Sequence, residues 1–320
     1  MLEPDAMTTL IETRNLSKSY PSRDGKTVVR AVNEVNLVLG RGHTLGVVGE
    51  SGCGKSTLAR LMLRLIEPTS GEVLFNGENL LKLGNTAMRR RRREIQIVFQ
   101  DPYASLDPRM SVSAIISEPL EIHGVGTKVE RNAKMLELLD LVGLDRSSAT
   151  KYPHEFSGGQ RQRIGIARAI ALEPKLVVLD EPVSALDVSI QSQILNLLID
   201  LKTRLNLSYV FISHDLSVVE HVSDEVAVMY LGRIVEYGKA ESVFSAPLHP
   251  YTQALVSAIP EMDPKNKRQR IVLTGDPPNP ENIPEGCPFH PRCQYAMAIC
   301  SETLPALDAR QGRNVACHLY

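Results

Sequence analysis

The chain reads as an α/β fold. A largely parallel sheet lies between helices, with a β-rich N-terminal part, a helical subdomain insertion and an irregular cysteine-containing C-terminal extension. Three observations predict it. Apolar runs at Thr44–Val48, Leu176–Leu179 and Tyr209–Ile212 are continuous rather than alternating, as strands buried on both faces are. Helical spacing recurs between them, at Lys55–Ile66, Gly159–Leu172 and Ser189–Leu205. Finally, Gly49-Glu50-Ser51-Gly52-Cys53-Gly54-Lys55-Ser56-Thr57 stands directly after one strand and opens one helix.

From the N-terminus, Leu10–Leu16 and Val28–Leu39 alternate as strands around a turn at Pro21–Gly25. The helix from Lys55 should stop before Pro68, because the residue ahead of a proline disfavours helical geometry. Glu72–Phe75 and Ile95–Phe99 are short strands. Between about residues 102 and 153 the apolar positions take helical spacing, as in Met135–Leu136, Leu138–Leu139 and Leu141–Val142. Strand–helix alternation then resumes through 176–212, and Val226–Tyr230 and Arg233–Glu236 close it. After Ser245, prolines crowd a segment with little periodicity beyond Tyr251–Ala258. The expected division is therefore 1–245, with the helical insertion inside it, and 246–320.

Composition excludes several classes. The 320 residues are 43% hydrophobic and 23% charged, with a net charge of −1, so nothing global suggests a nucleic-acid partner. No apolar run approaches the ~20 residues of a membrane span. Met1–Thr9 has acidic residues and no apolar stretch of a secretory signal, so the expected location is cytoplasmic. Five cysteines there argue against a disulfide framework. The five arginines Arg89–Arg93 read as the solvated end of a helix.

Residues 49–56 spell Gly-x-x-x-x-Gly-Lys-Ser, the phosphate-cradling P-loop in its strand-to-helix setting. Glycines let backbone N–H groups face a polyphosphate, Lys55 reaches its outer phosphates, and the Ser56 hydroxyl suits Mg²⁺. The strand Leu176–Leu179 ends in Asp180 and Glu181, one carboxylate to hold Mg²⁺ and one to orient and deprotonate water. His214, in Ser213-His214-Asp215, also follows a buried strand, as does Gln100, which can contact both metal and water. Phe156-Ser157-Gly158-Gly159-Gln160 opens a further helix, whose N-terminus suits an anion. A chain with one phosphate cradle already has its own, so this second anion site points to the nucleotide of another subunit.

Over nearly its whole length the chain resembles the ATP-binding subunits of ABC transporters. The P-loop, Gln100 of the Q-loop, the signature 156–160, the Walker B strand 176–181, the Asp-loop Ser184–Asp187 and the switch His214 occur in that family's order. Phe156 replaces a frequent Leu. The resemblance implies a P-loop NTPase fold in which Gly49–Thr57 bind ATP and Mg²⁺ is held through Ser56, Gln100 and Asp180. Glu181 is the expected general base, with Lys55 and His214 at the γ-phosphate. Ser157, Gly158, Gly159 and Gln160 would serve the partner's ATP. Tyr20 stands where the family stacks a ring on adenine, though it also fits an ordinary strand aromatic.

His249-Pro-Tyr251-Thr-Gln-Ala-Leu and Gly286-Cys287-Pro-Phe-His-Pro-Arg-Cys293 look like the C-terminal extension of dipeptide and oligopeptide importer ATPases. Gln96–Pro102, Ser208–Val222 and Met229–Gly232 are most similar to the second ATPase of a dipeptide importer. Such subunits pair with a related ATPase at the cytoplasmic face of the membrane. Their other partners are two permease subunits and an extracytoplasmic peptide-binding protein. Two alternatives stay open: a soluble ABC ATPase acting on nucleic acid or the ribosome, and an importer of nickel, glutathione or a peptide antibiotic. Cys287, Cys293, Cys300 and Cys317 suit thiolate ligation, and the resemblance favours a [4Fe–4S] cluster over zinc, for which His290 or His318 could substitute as ligands.

Overall fold

A computed structural model describes residues 9–22, 27–260 and 270–320. Most of the Pro21–Gly25 turn, Pro264 and residues 1–8 lie outside them. The chain divides into two compact units, residues 1–82 with 212–320, and residues 83–211.

The first stretch runs β1 (Thr9–Pro21), β2 (Val28–Gly40), β3 (Thr44–Val48), α1 (Lys55–Met62), β4 (Ser70–Phe75) and β5 (Glu78–Asn79). Strands β2-β1-β4-β5 form an antiparallel sheet. Burial alternates along Val35–Leu39 of β2 as the sequence suggests, whereas Leu10 and Ile11 of β1 are buried in succession, beside register shifts in that strand. Thr13 is buried where β1 shifts register. Its hydroxyl donates to the Val35 carbonyl at 3.1 Å and accepts from Leu37 N at 3.0 Å, so the buried hydroxyl and both of these β2 backbone groups are paired at that shift. Helix α1 ends earlier than the Pro68 argument implies. Arg64 turns left-handed (φ 48°) and Leu65 N donates to Arg60 O at 2.8 Å, a six-residue closure that stops the helix locally.

The second unit runs α2 (Asn85–Arg91), β6 (Ile95–Val98), α3 (Pro102–Ser105), α4 (Val112–Ile122), α5 (Lys128–Leu141), α6 (Gly158–Ile170), β7 (Leu176–Asp180), α7 (Val188–Leu205) and β8 (Ser208–Ile212). Strand β7 lies between β8 and β6, parallel to β6, and β7 and β8 are buried at every residue. Continuous apolar strands thus do mark two-sided burial here. The expected insertion is helical. Its α5 starts with a capping box, Thr127 accepting from Glu130 N and Glu130 from Thr127 N. Of the arginine run, Arg89 donates to Ile122 O at 2.6 Å and Arg91 pairs with Glu94 at 2.6 Å. It is in part a structural brace.

The chain then returns to the first unit as α8 (Leu216–Val222), β9 (Glu225–Tyr230), β10 (Arg233–Lys239), α9 (Ala240–Ser245), α10 (Pro250–Ser257), α11 (Ala298–Glu302), β11 (Asp308–Arg310) and β12 (Arg313–Val315). β3 and β9 are parallel, and β10, β12 and β11 follow antiparallel. The extension is therefore more regular than its prolines suggest. Its last hairpin turns at Gln311 and Gly312, both at positive φ, and adds β12 to β10. Glu236 of β10 is completely buried. It pairs with Arg313 of β12 at 3.2 Å and accepts the amides of Leu248 (3.0 Å) and His249 (2.9 Å). Tyr230, Tyr251 and Phe289, each at most 1% exposed, pack ring against ring with centroids 4.7 to 5.4 Å apart.

Candidate nucleotide site

The first unit holds the phosphate loop. It leaves the buried end of β3 at Gly49 and enters α1 at Lys55. Gly49 (φ 153°) and Gly54 (φ 109°) take backbone conformations that side chains oppose. A Cβ there would run into the carbonyls of Met229 and Ala31 respectively. Lys55 is buried, and its ammonium donates to the carbonyls of Gly49 (2.8 Å) and Glu50 (3.0 Å), folded across the loop. Cys53 is buried beneath, and loss of solvent pushes its thiol pKa up despite Lys55 nearby. Ser213 N donates to Val47 O at 3.3 Å, so the segment carrying the exposed His214 starts beside the strand that feeds the loop. Asp215 then caps α8, accepting from Ser217 N at 3.0 Å. Tyr20, 38% exposed, lies at the end of β1 with the Lys18 ammonium 5.1 Å from its ring centre.

The second unit brings Gln100 and Glu181 together. Gln100 Nε2 donates to Glu181 Oε2 at 2.8 Å, joining residues that follow β6 and β7. Asp180 is buried at the tip of β7, while Glu181 turns left-handed (φ 48°). That conformation costs a non-glycine residue roughly 1 kcal/mol or more and aims the second carboxylate differently from the first. The Asp-loop follows, with the Ser184 hydroxyl donating to Glu181 O at 3.1 Å. Its Asp187 caps α7 by accepting from Ile190 N at 3.0 Å, a bond that lowers its pKa.

Ser157 and Gln160 form a reciprocal cap at the head of α6. The Ser157 hydroxyl accepts from Gln160 N at 3.4 Å, and Gln160 Oε1 accepts from Ser157 N at 3.0 Å. Gly159 lies against Ile190 of α7, where a Cβ would collide, so its smallness serves helix packing. Gly159 thus has a structural use beside the expected one.

The four terminal cysteines are all free. Burial first, then the neighbouring Cys300, Cys317 and Cys293, push the Cys287 thiol up to about 11. The extension therefore gathers the thiols into one electrostatic neighbourhood. Yet among the described residues no group of three or more His, Cys, Asp or Glu side chains converges on a metal position. The donor set fits a thiolate-held centre, but its geometry is not closed around one.

Two contacts reach the phosphate loop from residues that sequence spacing did not flag. Tyr251 Oη accepts the Glu50 amide at 2.8 Å, and Arg292 grips the Glu50 carboxylate with two bonds of 2.8 and 3.0 Å. Separations of 201 and 242 residues leave no local signal for either pair.

Among the described residues no helix is long and apolar enough to cross a membrane. The family model described as ABC transporter matches residues 32–184, and the model described as oligopeptide/dipeptide transporter, C-terminal region, matches 235–300. The chain is 53% identical to the oligopeptide transport ATP-binding protein AppF of Bacillus subtilis, covering 98% of each chain. It is 51% identical to the dipeptide transport ATP-binding protein DppF of Escherichia coli, covering 96% of this chain and 93% of that protein. Among solved structures it is similar to a dimeric post-hydrolysis state of an ATP-binding cassette bound to ADP and Pi. That similarity has a TM-score of 0.66 and 29% identity over 72% of this chain and 99% of the other.

Proposed function

The chain belongs to the ABC transporter ATPases, in the branch with the oligopeptide/dipeptide C-terminal region, and from that premise we propose that it is the ATP-hydrolysing motor of a peptide importer. The observation that carries the peptide assignment is the extension. It adds to an ATP-binding cassette the region that matches peptide-transport ATPases, and it is built into the sheet that ends in the phosphate loop. That joint feature favours an importer subunit over an ATPase working on nucleic acid.

Lys55 and the loop amides neutralise phosphate charge. The oxygens of Ser56, Gln100 and Asp180 suit a hard divalent cation, which when bound offsets charge on the β- and γ-phosphates. Glu181, held by Gln100, takes the proton of the attacking water, and His214 senses the γ-phosphate. Tyr20 stacks on the base. The signature segment 157–160 completes the site of a second, related cassette, so the working unit is a pair, with a heterodimer as our reading. Phosphoryl transfer depends mainly on such positioning and charge stabilisation.

Transmission to two permease subunits is supported by a groove of about 630 Å³ in the second unit. Phe99, next to Gln100, lines it together with Met88, Pro119 and Ile122, and Arg89 and Arg168 add charge. This mixed lining suits an amphipathic segment of a membrane partner. The protein then sits peripherally on the cytoplasmic face, with peptides delivered by an extracytoplasmic binding protein. We assign Cys287, Cys293, Cys300 and Cys317 to a [4Fe–4S] cluster, with zinc as the alternative. Iron and acid-labile sulfide near four per chain support it, and anaerobically purified protein that is colourless and free of both refutes it.

The functional test is co-purification of the tagged chain with polytopic membrane proteins, followed by peptide uptake in a deletion strain. Uptake of defined di- and oligopeptides should fail without the gene and return with it. Undiminished uptake, with nickel or glutathione uptake lost instead, would overturn the cargo assignment.

A further inference from the structure

Glu50 is an acid inside a loop built to bind polyphosphate. An uncompensated carboxylate there would repel the ligand that the loop's glycines and Lys55 attract. The structure supplies the compensation from the far end of the sequence. Arg292, its side chain only 6% exposed, meets the Glu50 carboxylate end-on with two bonds of 2.8 and 3.0 Å. Its Nη1 also lies 3.5 Å from the Tyr230 hydroxyl. The Glu50 amide is itself held by Tyr251. Glu50 is therefore fixed through both backbone and side chain by the extension, and its charge is turned toward Arg292.

We propose that Arg292 is a positioning residue for nucleotide binding: it neutralises and orients Glu50 so that the phosphate loop presents a net attractive face to the nucleotide. Two paired bonds to one carboxylate give direction as well as charge, which a lysine in the same place would supply only in part. Arg292 precedes Cys293, and Phe289 packs on Tyr230 and Tyr251. The thiol-bearing segment is thus the mount from which the loop is held. The extension then has a direct part in nucleotide affinity.

The test measures ADP binding to the full-length chain in Mg²⁺ buffer by titration calorimetry, with a thermal melt of every variant. Arg292→Ala should weaken ADP about tenfold, equivalent to about 1.4 kcal/mol, and the loss should shrink as salt rises. Arg292→Lys should keep most of the affinity. Glu50→Gln, which removes the repelling charge and leaves Arg292 free to attract phosphate, should bind ADP more tightly than the natural chain, and Glu50→Gln combined with Arg292→Ala should recover to within about twofold. In the assembled transporter, Arg292→Ala should raise KM with little change in kcat. Normal ADP affinity in Arg292→Ala overturns the proposal. So does a double variant as weak as the single one, because the pair would then be a plain structural strut. Should Arg292→Ala not fold, Glu50→Gln alone decides: an affinity no tighter than that of the natural chain refutes the charge argument.

Discussion

Arg313→Met tests whether the extension is held to the sheet by a buried charge pair. In the native chain the Arg313 side chain is 5% exposed and that of Glu236 is not exposed at all, with 3.2 Å between guanidinium and carboxylate. Methionine keeps much of the aliphatic volume and removes the cation, leaving a carboxylate with only the amides of Leu248 and His249 as partners. Ser242 O also loses its 2.6 Å bond from Arg313. Breaking one side of a buried pair costs about 3–5 kcal/mol, and the two surviving amide bonds argue for the lower end. If the hairpin opens locally, about 3 kcal/mol corresponds to roughly a hundredfold faster amide exchange. Hydrogen exchange read by mass spectrometry over residues 308–317 reports this directly. Adding Glu236→Gln should restore much of the protection, because the orphaned charge is gone. Exchange within about threefold of the natural chain, or a double variant no better protected than the single, would refute the reasoning.

Two further outcomes follow from the site and the core. Glu181→Gln should still bind ATP yet lose turnover by at least about a hundredfold, the scale of a general base; ATPase assays beside nucleotide-binding titrations check it, and near-normal turnover removes Glu181 from that role. His249 is fully buried, its Nδ1 accepts Tyr251 N at 3.0 Å, and burial lowers its pKa to about 3. Its folded value lies below the unfolded one of about 6.5, so its contribution is complete above pH 6.5 and is lost as pH falls toward 3. The slope approaches about 1.4 kcal/mol per pH unit within that window. His249→Asn, which keeps a capping oxygen, should flatten the denaturation midpoint between those limits, and an unchanged profile would exclude His249 as the source.

Strands β3, β7 and β8 were legible because residues buried on both faces must be apolar throughout. The phosphate loop was legible because its glycines answer a backbone need as well as a chemical one. The carboxylates at 180 and 181 stood out as acids at the tip of an apolar strand. What escaped was of a different kind. The stop of α1 lies in the left-handed turn of Arg64, an arginine where glycine is the usual marker. The β11–β12 hairpin has three-residue strands carrying Asp308, Arg310, Arg313 and Asn314, so no alternation announces it. The grip of Arg292 and Tyr251 on Glu50 is a tertiary event between distant segments. The stretches that hold Tyr251 and Arg292 stood out as an extension motif, but their pairing with Glu50 exists only once the chain is folded, and residue spacing does not register it.

The order β9-β10-β12-β11 has a practical corollary for anyone shortening this polypeptide. As it stands, the sheet finishes at that side in a strand of three solvent-facing residues, two of them ionised, a poor template for a foreign chain. Deleting the final dozen residues would strip that cover and leave the Arg233–Lys239 margin with unsatisfied peptide groups. Tyr320, whose hydroxyl donates to Leu248 O at 3.3 Å, would go with them. Clipped preparations should therefore self-associate edge to edge, and a fusion partner is better placed at the opposite terminus.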